Sequence, residues 1–164
     1  MSTKKNDKDQ AEGLRTICRN RRASHDFEIL QAFECGLALS GTEVKSLRLG
    51  KASLEGAFAR IEQGEAWLYK AEIPEYAMGN WTNHEPKRKR KLLLHRRELA
   101  KLDAETSQKG CTLIPMRIYF KGSRAKVELA LARGKKQHDK RETLKEKDAK
   151  RHMARALGTR RGRG

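Results

Sequence analysis

Cysteine is scarce in this chain of 164 residues, and long apolar segments are missing. The three cysteines, Cys18, Cys35 and Cys111, are an odd number with no CxxC pair, so neither a disulfide framework nor a zinc site is predicted. No apolar run approaches the ~18–20 residues that a transmembrane helix needs, and the N-terminus lacks the hydrophobic segment of a secretory signal. We therefore expect a cytoplasmic protein without a membrane partner.

Motifs for catalysis and for metal binding are also missing. The five histidines show no HExxH or Cys/His ligand spacing, and the chain has no Walker loop and no GxSxG. His84 and Glu85 could form the acid and base of a nuclease, or they could lie in a polar loop beside Pro86. We predict that the protein is not an enzyme and has no metal and no cofactor. A small basic nuclease remains the alternative.

Aromatic residues are few, and all nine lie between Phe27 and Phe120. Residues 133–164 contain none and have only six aliphatic side chains. Because a core must offset the ordering entropy of its chain, this segment has too little apolar surface to fold alone. We predict a disordered leader over residues 1–18, one folded body over 19–132, and a C-terminal tail over 133–164 that is disordered or conditionally helical.

Acidic residues are outnumbered, most strongly at the C-terminal end. The chain carries 38 Lys and Arg against 21 Asp and Glu, a net charge of +17, and the last 32 residues account for +9 of it. A field of this sign favours nucleic acid or an anionic membrane surface. We expect a partner that is ribosomal or other RNA. A structural ribosomal protein with a basic extension is a second alternative.

Strand patterns dominate the body. Residues 27–39 are rich in apolar and aromatic side chains, and residues 55–73 predict a hairpin that turns at Gln63-Gly64, with alternation continuing to its end. Residues 111–120 open a second hairpin, in which Pro115 predicts an edge or bulged position because proline lacks an amide donor.

Two short helices complete the predicted body. Ser40 followed by Glu43 is a capping-box pattern, and a second helix begins near His95. Together with at least five strand arms, these elements predict a mainly β fold, an antiparallel OB-fold barrel with short flanking helices.

Five consecutive basic residues, KRKRK at 87–91, lie in a segment predicted to be an irregular loop over 75–91. They could form a solvated loop, or a phosphate-binding patch anchored to the barrel by the adjacent Leu92-Leu93-Leu94. The patch is our prediction, with Lys87, Arg88, Arg90 and Lys91 as its members. Trp81 and Tyr76 of the same segment are either packing at the rim or platforms for base stacking.

The tail contains good helix formers from Glu142 onward, and one narrow apolar stripe formed by Ala149, Met153, Ala156 and Leu157. Isolated helices of this length are marginal in water. We predict a segment that folds on a polyanionic partner. The alternative is a helix that lies on the barrel through that stripe.

Several motifs closely resemble the small protein B family, the bacterial partners of transfer-messenger RNA (tmRNA). These motifs are NRRASHDFEI at 20–29, GTEVKSLRLGKASL at 41–54, HEPKRKRKLLLHRREL at 84–99, GKKQHDKRE at 134–142 and KEKDAKR at 145–151. The match runs in unbroken order from about residue 19 to 157. Ser24, Phe27 and Glu85 depart from the common pattern, where arginine, tyrosine and aspartate are usual.

The resemblance implies a non-enzymatic adaptor with an OB-fold body. In that family the body clasps the tRNA-like domain of tmRNA, and elongation factor Tu with GTP escorts the complex to a ribosome stalled without a stop codon. The tail then becomes helical in the vacant mRNA path beyond the decoding centre. This process is trans-translation, in which the nascent chain acquires a degradation tag.

The same resemblance implies roles for individual residues. Glu34, Leu93 and Lys126 would lie on the face that binds the tRNA-like domain. His138, Asp139, Lys140 and Arg141 would lie at the decoding centre. The segment from Lys145 to Leu157 would occupy the channel, with Lys147, Lys150, Arg151 and Met153 among its contacts.

Overall fold

The computed structural model describes residues 13–107, 110–135 and 137–161, without the side chains of 137–140, 143 and 155–161. Seven strands and four α-helices lie in these ranges. The strands are β1 Leu14–Arg19, β2 Phe27–Leu37, β3 Phe58–Glu62, β4 Glu65–Tyr69, β5 Arg90–Leu93, β6 Cys111–Lys121 and β7 Arg124–Gly134. The helices are α1 Ala23–Asp26, α2 Gly41–Arg48, α3 Arg96–Ser107 and α4 Gln137–Arg161.

The strands form an antiparallel barrel. Neighbouring strands pair in the order β6, β3, β4, β5, β2 and β7, and β7 pairs with β6 again, which closes the sheet on itself. Strand β1 pairs with the second half of β6. The predicted mainly β, OB-type barrel with short flanking helices is confirmed.

Strand β1 moves the start of the folded body toward the N-terminus. Residues 14–18 were predicted to belong to the leader, but they pair with β6, and Ile17 packs against the core. Two exposed arginines in so short a strand, Arg15 and Arg19, conceal its alternation. Residues 1–12 of the predicted leader lie outside the described residues. At the other end, β7 continues to Gly134, two residues beyond the predicted limit.

The barrel interior is filled by aliphatic side chains from every wall, and two helices close onto it. Leu47 of α2 and Leu102 of α3 are fully buried, as the predicted helices require. The predicted capping box is present at the start of α2, where the Ser40 amide donates to Glu43 Oε2 over 2.7 Å. This bond ties the start of α2 to the Glu43 side chain.

The predicted turn and bulge are both found. The β3–β4 hairpin turns at Gln63-Gly64, where both residues have positive φ. The register of β6 against β7 shifts between Pro115 and Arg117, which is the predicted bulge. At Pro115 the described pairing is with Leu129 of β7, while the pairings of β6 with β3 and β1 lie on either side of it, at Leu113 and from Arg117 onward.

The predicted alternation through the second arm of the hairpin is wrong at Lys70. This residue has a φ of 58° and reverses the side that faces the core. Ala66 and Leu68 are buried before it, and Ala71 and Ile73 are buried after it. A single residue in the left-handed region therefore shifts the inward positions by one.

Helix α4 contains the predicted tail motifs. Every described side chain from 141 to 154 is exposed, including Met153 at 69%. The helix therefore does not lie on the barrel through Ala149 and Met153, and the side chains of Ala156 and Leu157 lie outside the described residues. That its helicity depends on a partner stays a prediction. Within the described ranges, no helix is long and apolar enough to cross a membrane.

Candidate nucleic-acid interface

One surface cleft of about 480 Å³ collects the three residues predicted to face the tRNA-like domain. Glu34 comes from β2, Leu93 from the end of β5 and Lys126 from β7. Strand β2 pairs with β5 on one side and with β7 on the other, which brings these residues together from distant parts of the chain. Arg124 lines the same cleft. We call these four residues the Glu34 patch.

Leu93 is held at this surface by a glycine. It pairs with Gly36 across the β2–β5 junction, and a Cβ placed on Gly36 would lie 3.0 Å from the Leu93 Cβ. The leucine side chain remains 53% exposed. Gly36 therefore allows a close strand approach that presents an apolar side chain to solvent beside charged groups.

The Glu34 carboxylate is fixed by a hydroxyl and two cations. Tyr119 Oη donates to Glu34 Oε2 over 2.6 Å, and Lys121 Nζ and Lys126 Nζ lie 3.5 and 3.6 Å from Oε1. The Tyr119 hydrogen bond, and then the two lysines, hold the pKa of Glu34 below its usual value. The carboxylate is therefore an ionised acceptor, and it draws Lys126 toward the centre of the patch.

Tyr119 is itself positioned by neighbouring strand residues. The Arg117 guanidinium lies 4.7 Å from the centre of the Tyr119 ring, and Glu128 accepts a hydrogen bond from Arg117. Burial, with the nearby Glu34 carboxylate, raises the pKa of the Tyr119 phenol, so it remains a donor. Sequence reasoning missed Tyr119 because its partner lies 85 positions away and no local pattern reports the pairing.

The basic segment 87–91 differs from its prediction, because each member has a partner on the body. Arg90 belongs to β5 and Lys91 follows it in the same strand, so the irregular loop ends earlier than predicted. The ion pairs join Lys87 to Glu72, Arg88 and Arg90 to Glu43, Lys89 to Glu62, and Lys91 to Glu65. Much of the segment's charge is therefore compensated within the fold.

Arg90 corrects the predicted phosphate patch most clearly. Its side chain is 0% exposed, and it donates to Glu43 Oε1 and to the carbonyls of Ala71 and Pro86 over 2.6–2.9 Å. A buried guanidinium with these partners cannot reach an RNA phosphate. For Lys87, Arg88 and Lys91, which keep some exposure, RNA contact stays a prediction.

Glu43 joins α2 to this segment. Burial alone would raise the pKa of its carboxyl, but hydrogen bonds from Arg88, the Ser40 amide and Arg90 outweigh burial and lower the pKa to about 2. The resulting buried cluster anchors the first residue of β5, and Leu93 is the last residue of that short strand. Sequence reasoning assigned Glu43 only to the helix cap.

His84 does not suit the nuclease alternative. Its ring is buried, with Nε2 2.8 Å from the Ile73 carbonyl and Nδ1 2.9 Å from Thr42 Oγ1. Since a carbonyl only accepts, Nε2 is the donor to Ile73, and in the neutral ring Nδ1 accepts from the Thr42 hydroxyl. Both ring nitrogens are thus engaged with the protein. Among the described residues, no group of three or more His, Cys, Asp or Glu side chains could hold a metal ion.

The residues predicted for the decoding centre and channel lie on α4, apart from the strands that build the Glu34 patch. Arg141, Lys145, Lys147, Lys150, Arg151 and Met153 are exposed. Arg151 lies 3.9 Å from Asp148, and the two form an ion pair one turn apart on the helix. The side chains of His138, Asp139 and Lys140 lie outside the described residues.

Comparison with known proteins gives concordant matches. The family model described as SmpB protein matches residues 17–159. The SsrA-binding protein of Thermobifida fusca is 58% identical over 158 residues, which cover 96% of this chain and 99% of that protein. The SsrA-binding protein of Carboxydothermus hydrogenoformans is 55% identical over 144 residues, covering 88% and 97%.

The fold has a counterpart among solved structures. A chain from the structure described as "tmRNA-SmpB: a journey to the center of the bacterial ribosome" is 51% identical, with a TM-score of 0.63 over 77% of this chain and 93% of that one. The family model covers most of the sequence, and the relatives match over nearly their whole lengths. The chain therefore belongs to the SmpB protein family.

Proposed function

We propose that this protein is a non-enzymatic RNA-binding adaptor that binds the tRNA-like domain of tmRNA and delivers it to stalled ribosomes for trans-translation. Its relatives are named SsrA-binding proteins, and its structural counterpart is described as tmRNA–SmpB in the bacterial ribosome. The nuclease alternative has no support from His84, whose ring is buried and hydrogen-bonded.

The observation that carries the proposal is the convergence of Glu34, Leu93 and Lys126 on one cleft. Lys126 and Arg124 suit phosphate, and Leu93 offers apolar contact to a ribose or a splayed base. Glu34 repels phosphate, so its role is to accept from a base amino group or a ribose 2′-hydroxyl, or to orient a neighbouring basic side chain such as Lys126. Because the Glu34 carboxylate lies between cations, this point of the patch favours folded RNA, which offers hydrogen-bond donors as well as phosphates, over a polyanion that offers only negative charge.

For the tail, the proposal assigns Arg141, with His138, Asp139 and Lys140, to the decoding centre, and the segment from Lys145 to Leu157 to the vacant mRNA path. The described side chains of α4 are exposed, and five of them are Lys or Arg against three Asp or Glu, which supports a segment available to a polyanionic channel. A message already present would compete for the same walls. The helix would thus report an empty channel.

Elongation factor Tu with GTP is proposed as a further partner that acts through tmRNA. Its proposed role is to carry the aminoacylated complex, and no surface of this chain is assigned to it. The proposed function also implies a cytoplasmic location.

Sequencing of the RNA that co-purifies with the protein from cells tests the proposal. Wild type should enrich tmRNA, and Leu93→Asp should lose it, because a new carboxylate would repel the phosphates beside Lys126. Leu30→Asp is the matched control, since Leu30 is also exposed but lies outside the Glu34 patch. Enrichment of ribosomal RNA alone by the wild type would overturn the proposal, and RNA cleavage with Mg²⁺ would favour the nuclease.

A further inference from the structure

Trp81 is the most exposed large apolar side chain among the described residues. Its side chain is 97% accessible, and Met78 close by is 80% accessible. We call residues 75–83, which carry both side chains, the Trp81 loop. Tryptophan offers a large aromatic surface, and contiguous exposed apolar surface marks interaction sites. The proposed function leaves this loop without a role.

The Trp81 loop is braced by its own polar groups. The Asn83 amide accepts from the Tyr76 backbone N–H over 3.0 Å and donates to the Tyr76 carbonyl over 2.8 Å. Thr82 Oγ1 donates to the Gly79 carbonyl over 2.7 Å. A Cβ on Gly79 would lie 2.5 Å from Asn83 Oδ1, so this brace requires glycine. The brace therefore holds the backbone from which Trp81 projects, which lowers the backbone entropy lost on binding.

The loop is also fastened to α2. Ser46 Oγ donates to the Pro74 carbonyl over 2.7 Å, at the point where the loop leaves the barrel. Lys45 Nζ lies 5.4 Å from the centre of the Tyr76 ring. These contacts make the Trp81 loop and the exposed side of α2 neighbours on one surface.

That side of α2 is cationic. Lys45 and Arg48 lie on the helix, Lys51 follows it, and Arg15 Nη2 donates to the Arg48 carbonyl over 3.0 Å. Within the described part of the chain, none of these four side chains forms an ion pair with a carboxylate. We call them the α2 cations. Their uncompensated charge contrasts with the paired residues of segment 87–91.

An exposed indole, on a loop that contacts α2 and its uncompensated cations, matches one class of partner. Single-stranded RNA supplies phosphates for the cations and a π face for the ring, and aromatic platforms beside basic grooves bind it in this way. A protein partner with an apolar pocket would use Trp81 but would gain nothing from the α2 cations. The charge therefore favours RNA.

We propose that Trp81 is a stacking arm for an unpaired RNA base, and that the α2 cations hold the phosphates beside that base. This contact lies outside the Glu34 patch. The Trp81 loop precedes Arg90 at the start of β5, and Leu93 lies at the other end of that strand. The protein then has a second RNA contact, whose existence does not depend on which RNA occupies the Glu34 patch.

Fluorescence of Trp81 tests the proposal directly. The chain has two tryptophans, so Trp67→Phe leaves Trp81 as the only reporter. Titration with a single-stranded RNA decamer should quench its emission, because a stacked base contacts the ring. The same decamer in a duplex, or with abasic nucleotides, should not quench it. In a Trp81→Phe background, Trp67 is the control reporter, and its emission should stay constant.

Affinity measurements separate stacking from other apolar contact. Trp81→Ala and Trp81→Leu should each weaken decamer binding about 5- to 150-fold, the loss expected for one stacked base, whereas Trp81→Phe should retain most of the affinity. Leucine that binds as well as tryptophan would overturn the proposal, since a non-aromatic side chain cannot stack. Quenching that is absent at saturating decamer, or equal with abasic RNA, would also overturn it.

The Leu93→Asp variant separates this inference from the proposed function. Trp81 should still be quenched by the decamer in that variant, although tmRNA is lost from the Glu34 patch. If Leu93→Asp abolished the quenching, the two RNA contacts would be one, and the inference would be wrong. If wild type bound the decamer through Trp81 but enriched no tmRNA, only the proposed function would fail.

Discussion

Tyr119 donates a hydrogen bond of 2.6 Å to Glu34, and this bond joins two strands of the barrel across 85 positions of sequence. We predict that Tyr119→Phe raises the pKa of Glu34 toward its ordinary value, because the hydroxyl is the main cause of its depression. The carboxylate would also lose its fixed orientation. Affinity for a tRNA-like RNA should fall about 3- to 10-fold, which corresponds to the net contribution of one ordinary hydrogen bond.

NMR titration of the Glu34 carboxyl, together with RNA binding, measures this effect. A group with a depressed pKa contributes stability above its unfolded pKa and loses that contribution as pH falls through the folded pKa. The free energy of unfolding should therefore fall less steeply with decreasing pH in Tyr119→Phe than in wild type. Tyr69→Phe is the matched control, because Tyr69 donates an equally short bond to Glu62 outside the patch. If both variants bind RNA equally, the role of Tyr119 is structural only.

Removal of the Glu43 charge should destabilise the fold strongly. Glu43→Gln leaves Arg90 buried without its counter-ion, and breaking one side of a buried ion pair costs about 3–5 kcal/mol. Urea unfolding at pH 7 measures the loss. Glu72→Gln is the control, since its pair with Lys87 is exposed and should cost at most about 1 kcal/mol.

The same variant predicts a pH dependence. The pKa of Glu43 is lowered from 4.5 to about 2 in the fold, so its charge stabilises the protein fully above 4.5 and progressively less down to about 2. The difference in unfolding free energy between wild type and Glu43→Gln should therefore narrow as pH falls through that window. A difference that stays constant from pH 7 to pH 2.5 would contradict the role given to the carboxylate.

Gly36→Ala should displace Leu93. The added Cβ would lie 3.0 Å from the Leu93 Cβ, and relief of such crowding in a packed sheet costs about 1–3 kcal/mol. The affinity for RNA should also fall, since Leu93 is then misplaced in the Glu34 patch. Gly41→Ala is the control, because nothing lies within 4 Å of a Cβ there and alanine favours the first turn of α2. Gly36→Ala with wild-type RNA affinity would contradict this prediction.

Five of the seven strands and the starts of α2 and α3 were predictable because their signals are local. The Ser40–Glu43 cap, the Gln63-Gly64 turn and the Pro115 bulge each depend on residues a few positions apart, and all three are present. The three residues of the Glu34 patch were named through resemblance to a family. Their meeting in one cleft depends on the pairing of β2 with both β5 and β7, which no local pattern contains.

The sequence misled where charge looked uniform. Arg90 and Lys89 are neighbours in one basic run, yet Arg90 is fully buried and Lys89 is exposed. The difference arises because Arg90 begins a strand and points inward to Glu43, a residue 47 positions earlier. The sequence gives the number of charges in such a segment, but the fold determines which of them are paired with carboxylates and which remain exposed.

Removal of the tail should separate the two proposed activities. Strand β7 ends at Gly134, and Lys135 Nζ donates to the Ser24 carbonyl, so a chain that ends at residue 135 keeps the complete body. Its melting temperature and its affinity for a tRNA-like RNA should stay close to wild type, within about threefold for affinity. Tagging on stalled ribosomes should be lost. A truncated protein that no longer binds the RNA would show that the tail belongs to the body's interface.

Amide hydrogen exchange of the free protein should distinguish α4 from α3. Helix α3 buries Leu102 in the core, whereas every described side chain of α4 from 141 to 154 is exposed. Because an unpacked helix is marginal in water, amides at 142–154 should exchange at least about 100-fold faster than those around Leu102. Addition of small ribosomal subunits without mRNA should slow amide exchange in α4 and leave exchange in α3 unchanged. Subunits loaded with a long message should not slow exchange in α4. Equal protection of both helices in the free protein would mean that α4 is stable without a partner, and the tail could not then report an empty channel by folding.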